Sequence, residues 1–216
     1  MGLPAAGFVF CSFNNQYKIT PDTFDGWMRM LGRVEESVLW LLVDHPAAAD
    51  NLRREAGRRG IDPQRLVFAQ RMPPDLHLAR LRLADLYLDT RPCNGGASVS
   101  DALWAGLPVL TLIGTSFVGR VAASLLHAVD LPELVTHTAK QYEDLAVALA
   151  CDPARLGRLR GRLADRRASS LLFDTRRFAR GLETACGAMV ERGVSGLPPA
   201  HIEIVEAASS IFGGGV

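Results

Sequence analysis

The chain has 216 residues, 48% of them hydrophobic and 22% charged, with 24 basic against 23 acidic side chains and a net charge of +1. That length supports one medium domain or two small ones, and so even a charge balance removes the electrostatic ground for wholesale binding to a nucleic-acid backbone or an anionic membrane. The most apolar stretch, Val38 to Val43, falls far short of the roughly 20 residues that span a bilayer, and no charged-then-apolar leader is read at the start, so a soluble protein is expected.

Gly7 to Phe13 reads as a short buried strand. Thr20-Pro21-Asp22 then supplies a cap, a proline at the first helical position and an acid in the first turn, predicting a helix through about Arg33. Ser37 to Val43 is an unbroken apolar run of strand length, as expected for a central strand covered on both faces. A helix over Ala47 to Arg59, closed by Gly60, leads to a strand at Arg65 to Ala69. Asp75 to Arg82 is a short helix, Asp85 to Asp89 a strand, Ser98 to Ala105 a helix and Pro108 to Leu112 a strand. Strands regularly separated by helices are successive βαβ units, so the fold class is a doubly wound, mostly parallel α/β domain. Beyond residue 115 the pattern turns helical, near 117–128, 139–150, 153–167 and 174–192, with a short strand at Leu134-Val135. These helices are expected to cover the sheet and its edge, giving one domain over 1–192 and a flexible tail over 193–216.

In an open parallel sheet, ligands bind beyond the carboxyl ends of the strands, where the loops leading into helices gather. Three segments qualify. The first, Ser12 to Lys18, carries one of only two lysines in the chain, a compact point charge suited to phosphate or simply a solvated loop residue. The second, Asp89 to Asp101, passes Gly95, Gly96 and Ala97 into a helix beginning near Ser98, so unpaired amides and the positive end of a helix dipole face the ligand region. Gly95 and Gly96 allow positive φ and close approach by a diphosphate, Ser98 offers a hydroxyl donor, and Asp101 is placed to accept from ribose hydroxyls. The alternative is that the glycine pair only shapes a turn and Asp101 only stabilises a helix start. The third, Gln70 to His77, places His77 where its ring face meets a base, or leaves it as a surface histidine.

Other chemistries find no support. The nicotinamide-type G-x-G-x-x-G, the P-loop and the G-x-S-x-G nucleophile elbow are missing, and the five histidines lack metal-ligand spacing. Four cysteines (Cys11, Cys93, Cys151, Cys186) lie far apart without a C-x-x-C pair, which predicts reduced thiols in a cytoplasm. Arg53-Arg54, Arg58-Arg59 and the Arg155 to Arg167 cluster fall on predicted helices and read as solvated faces, not a nucleic-acid surface.

An ordered set of segments carries a resemblance: Phe13 to Ile19, Ser37 to Leu42, Leu83-Ala84-Asp85, Leu88-Asp89-Thr90, Cys93-Asn94-Gly95 and Asp101 to Pro108, continuing through Arg120 to Ser124, Tyr142 to Ala146 and Leu172 to Thr175. Over about residues 7–192 the chain resembles the C-terminal half of the catalytic region of O-linked N-acetylglucosamine transferases, the family 41 glycosyltransferases, including bacterial relatives with tetratricopeptide repeats. The resemblance implies the C-terminal Rossmann-like domain of a GT-B glycosyltransferase, which holds the nucleotide sugar. It implies Lys18 on the donor diphosphate as the catalytic charge, with Asn15 nearby where many relatives have glutamine, His77 packed against uracil and Asp101 on ribose. Pro74 stands where known members carry a base-contacting lysine, and Gly96-Ala97-Ser98 replaces a His-Thr-Thr triplet, so backbone donors are expected to matter more here.

The function implied by the resemblance is that of the donor-binding half of an enzyme that moves N-acetylglucosamine from UDP-N-acetylglucosamine to serine or threonine hydroxyls, with no cofactor and no metal. The alternatives are the same fold with another donor, such as the GDP-fucose of plant-type SPINDLY relatives, and a degenerate, non-catalytic binding module. Acceptor proteins are expected partners, as are an N-terminal catalytic domain and tetratricopeptide repeats, encoded in the same chain or supplied by another. The half-cleft and the helix near 174–192 are expected to expose more apolar area than a complete monomer tolerates.

Overall fold

A computed structural model describes residues 2–170 and 172–204, in which strands and helices alternate as β1 (Phe8–Ser12), α1 (Pro21–Arg33), β2 (Ser37–Leu42), α2 (Pro46–Arg58), β3 (Leu66–Ala69), α3 (Pro74–Leu81), β4 (Leu86–Leu88), α4 (Ala97–Trp104), β5 (Val109–Leu112), α5 (Val121–Ala128) and β6 (Val135–Thr136). Three further helices follow, α6 (Ala139–Ala150), α7 (Pro153–Arg167) and α8 (Thr175–Val194). The sheet order is β3-β2-β1-β4-β5-β6 and every pairing is parallel. The order reverses between β1 and β4, which places a topological switch point beside the loops that follow those two strands.

The central strands are apolar but for a serine at one end of β1 and of β2, because both faces are covered. Phe10, Cys11, Leu39, Trp40 and Leu41 are all essentially inaccessible, and burial pushes the Cys11 thiol far above its ordinary range. Helix starts follow the cap signals: Thr20 accepts from the Thr23 amide ahead of Pro21, and Thr138 with Gln141 forms a complete capping box for α6. The expected helix near 117–128 begins instead with a single 3-10 turn, Phe117–Gly119, before α5. The short strand expected at Leu134-Val135 lies one residue later and completes the sheet at its β5 edge.

Two arginine arrangements fasten the periphery. Arg65, at the start of β3, donates to the carbonyls of Leu31, Val34 and Ser37 and to Ser37 Oγ, each at 2.8 Å. These are the carbonyls left free where α1 ends and the chain turns into β2. Along α7, expected to present a solvated arginine face, Arg158, Arg162 and Arg166 are exposed, and several of the cations also hold neighbouring segments. Arg160 meets Ala84 O and the Asp85 carboxylate, Arg162 pairs with Glu133, and Arg167 donates to Trp104 O with its guanidinium 5.2 Å above the Trp104 ring.

The chain divides into two compact units after Ser170. The expected domain ran to 192, whereas α8 belongs to the second unit. None of the α8 residues is buried, and Phe178, Leu182 and Met189, at spacings that share a helix face, are exposed. Residues 205–216, the end of the expected tail, lie outside the described residues. No helix among the described residues is long and apolar enough to cross a membrane.

Arg65→Met keeps the aliphatic stem and removes the guanidinium from three converging carbonyls, of which Val34 O keeps the Ser37 hydroxyl as a donor. It is expected to lower stability by about 1–3 kcal/mol, read as a shift in urea midpoint at unchanged m value.

Candidate functional site

The carboxyl ends of β1 and β4 meet at the switch point, and their loops are bound together by one buried carboxylate. Asp89, directly after β4, is 3% exposed. Its Oδ1 accepts from the Gly95 amide at 2.7 Å, the Thr90 amide at 2.9 Å and Asn14 Nδ2 at 3.2 Å, and its Oδ2 accepts from Thr111 Oγ1 at 2.7 Å. Asn14, also buried, receives the Ser98 hydroxyl on its Oδ1 at 2.7 Å. Five segments are thus joined: the loop after β1, the loop after β4, the corner at Gly95, the first turn of α4 and strand β5.

That frame explains the glycine pair in a way the sequence did not. Neither glycine uses the positive φ that a glycine allows. At Gly95 the requirement is space, since a Cβ there would lie 2.5 Å from Ser98 Oγ and 2.8 Å from Asn14 Oδ1. Gly96 is the N-cap of α4, with φ −99°, and no side chain caps the helix. The Gly95 amide is turned inward to Asp89, so it is removed from the set of expected ligand donors. The amides of Gly96, Ala97 and Ser98 have no acceptor among the described residues. The Ser98 hydroxyl, expected to face a ligand, gives its hydrogen to Asn14 instead.

Lys18 reaches this corner from the loop after β1. Its Nζ donates to Asn94 O at 2.8 Å, one residue before the glycine pair. Asn15 has a local task, with Oδ1 accepting from the Tyr17 amide at 3.4 Å as the cap of a 3-10 turn over Gln16–Lys18. The ammonium carries three donors and this contact uses one.

A cleft of about 280 Å³ adjoins the start of α4, walled by Phe13, Met72, Pro74, His77, Ser98 and Asp101 among others. His77 is half-buried and its Nδ1 receives Arg80 Nη2 at 2.7 Å. Arg80 is itself buried, donates to Gln70 O at 2.6 Å and lies 4.6 Å over the Phe13 ring. Burial, and then the Arg80 charge, hold His77 below its ordinary pKa, with Asp101 pulling the other way. An imidazole whose Nδ1 accepts is neutral and carries its hydrogen on Nε2. His77, Ser98 and Asp101 therefore share the cleft wall, and Lys18 with the free amides of Gly96 and Ala97 stands at the neighbouring corner.

Asn14, Asp89 and Arg80 were not singled out from the sequence. Asp89 carried one usable signal, a carboxylate abutting the buried strand Leu86–Leu88, where a charge must find donors or become exposed.

Burial pushes the Asp89 carboxyl up from 3.8 to about 6 despite its four donors. The unfolded chain gives up this proton first, so between those two values the folded state binds more protons and stability falls as pH rises. The loss reaches about 3 kcal/mol by neutrality. Asp89→Asn keeps Oδ1 toward its three N–H donors and turns an amide toward Thr111. It is expected to remove this slope, which urea unfolding of both proteins from about pH 4 to pH 7 measures.

Comparison with known proteins agrees with this architecture. The family model for glycosyl transferase family 41 matches residues 1–182. The UDP-N-acetylglucosamine--peptide N-acetylglucosaminyltransferase of Caenorhabditis elegans is 40% identical over 200 residues, which are 93% of this chain and 17% of the worm protein. The Arabidopsis thaliana protein SEC is 36% identical over 206 residues, 95% of this chain and 21% of its own length. Among solved structures, a mutant of the Thermobaculum terrenum O-GlcNAc transferase superposes with a TM-score of 0.84 at 32% identity, covering 88% of this chain and 37% of that one. The chain therefore spans about a fifth of the length of the curated relatives it matches. Its parallel sheet and flanking helices are the C-terminal Rossmann-like domain of a GT-B glycosyltransferase, and the chain belongs to glycosyl transferase family 41.

Proposed function

We propose that the chain is the donor-binding half of a protein O-glycosyltransferase, taking UDP-N-acetylglucosamine and delivering N-acetylglucosamine to serine or threonine hydroxyls. The observation that carries this reading is the juxtaposition of Lys18 Nζ, 2.8 Å from Asn94 O, with the three free amides at the start of α4. As the anomeric bond breaks, negative charge develops on the departing diphosphate, and a cation together with aligned N–H groups stabilises it where it forms. Lys18 and the amides of Gly96, Ala97 and Ser98 supply that charge without a metal or cofactor in this reading. His77 offers its ring to the base and Asp101 accepts from the ribose.

Transfer also needs the acceptor hydroxyl in register with the sugar. We assign that wall of the cleft to an N-terminal catalytic domain, in the same polypeptide or another, with tetratricopeptide repeats recruiting acceptor proteins in the cytoplasm. The activity for which the worm relative is named supports the donor and acceptor classes.

One observation favours a second reading, a nucleotide-sugar module without turnover. Gly96 and Ala97 bring no side-chain donor and the Ser98 hydroxyl is committed to Asn14, so the diphosphate would be held by Lys18 and main chain alone.

Calorimetric titration with UDP, UDP-N-acetylglucosamine and GDP separates the possibilities. Saturable UDP binding is expected, weakened about 30-fold by Lys18→Ala, the equivalent of about 2 kcal/mol for a charged hydrogen bond. A preference for GDP would reassign the donor, and silence toward all three would remove the donor site. Sugar transfer to an acceptor peptide once the N-terminal half is supplied would exclude the module reading.

A further inference from the structure

We infer that Asp89 is a positioning residue for the donor diphosphate, acting through Gly95 and through Asn14 and Ser98 to aim the amides of Gly96 to Ser98; this rests on the donor reading above. The segment from Gly95 to Ser98 is an arc held at both ends by the same carboxylate. At one end Asp89 Oδ1 takes the Gly95 amide directly, at 2.7 Å. At the other, Asn14 Nδ2 meets that same oxygen at 3.2 Å while Asn14 Oδ1 takes the Ser98 hydroxyl at 2.7 Å.

Between the two anchors lie the three amides that have no acceptor among the described residues. Their direction is fixed by the anchors, because no side chain caps α4 and a Cβ at Gly96 would meet only Val121 Cγ1, at 3.9 Å. The carboxylate is itself immobilised by the Thr90 amide and by Thr111 Oγ1 on β5. Its acceptor capacity is therefore directed to internal donors, and its geometry is transmitted to the arc. Preorganised donors stabilise developing charge better than donors that must reorient, because the reorganisation is made on folding and not during reaction.

A purely structural role would weaken every ligand together, whereas positioning of the arc acts on the diphosphate and spares the nucleoside end at His77 and Asp101. The test is calorimetric titration of the full chain and its variants with UDP and, separately, with uridine. Asp89→Ala is expected to weaken UDP at least 10-fold and uridine less than 2-fold, and Asp89→Asn, which retains Oδ1, is expected to restore UDP binding to within about 3-fold of wild type. Should Asp89→Ala fail to fold, Thr111→Val, which removes the β5 donor from Asp89 Oδ2 with little change in volume, is expected to weaken UDP alone by about 3-fold. Equal losses for UDP and uridine, an unaffected UDP affinity in Asp89→Ala or in Thr111→Val, or no rescue by Asp89→Asn would overturn the inference while leaving wild-type UDP binding, and so the donor reading, in place. A wild-type chain that binds neither UDP nor GDP overturns the donor reading and this inference with it.

Discussion

The acceptance of four donors by a single buried carboxylate, Asp89, is the constraint around which the candidate site is organised. An ionised group out of water is stable only if its lone pairs are used, and here those lone pairs gather the loop after β1, the corner at Gly95 and strand β5. Remove the acceptor and three amide donors and a hydroxyl lose their partner inside the protein. Gly95 is a glycine because this gathering leaves no room for a methyl group against Ser98 and Asn14.

The two ends of the cleft use different physics. Around His77, side chains set the chemistry: Arg80 pins Nδ1 of His77 and stacks on Phe13, which fixes the ring as a neutral plane with a hydrogen on Nε2. At the start of α4 the donors are peptide groups and one ammonium. Gly96 and Ala97 bring no side-chain donor there, and the Ser98 hydroxyl braces Asn14.

Element order and the parallel sheet were legible in the sequence because they rest on local signals. Thr20-Pro21 marks a helix start by capping chemistry, and Ser37–Leu42 is unmistakable as a doubly covered strand. The loops that carry Lys18, His77 and the glycine pair were legible from topology alone. What escaped was long-range. Asp89 looks like an ordinary charge after a strand until its donors, up to 75 residues away in sequence, are known. Similarly, the α7 arginines show helical spacing but not the carbonyls of Ala84 and Trp104 that they reach. The glycine pair was read through backbone freedom, whereas steric exclusion explains Gly95, and that depends on neighbours no local window contains.

Amides arrayed along the first turn of α4 have a further consequence for how such a protein changes over generations. Peptide groups are encoded by the path of the chain, not by the identity of its residues, so substitutions at Gly96 or Ala97 leave the array in place so long as the path survives. Selection would then be felt most strongly behind the array, in the hidden scaffold that bends the chain. In such a lineage, the outward face of the corner drifts while its foundation stays fixed.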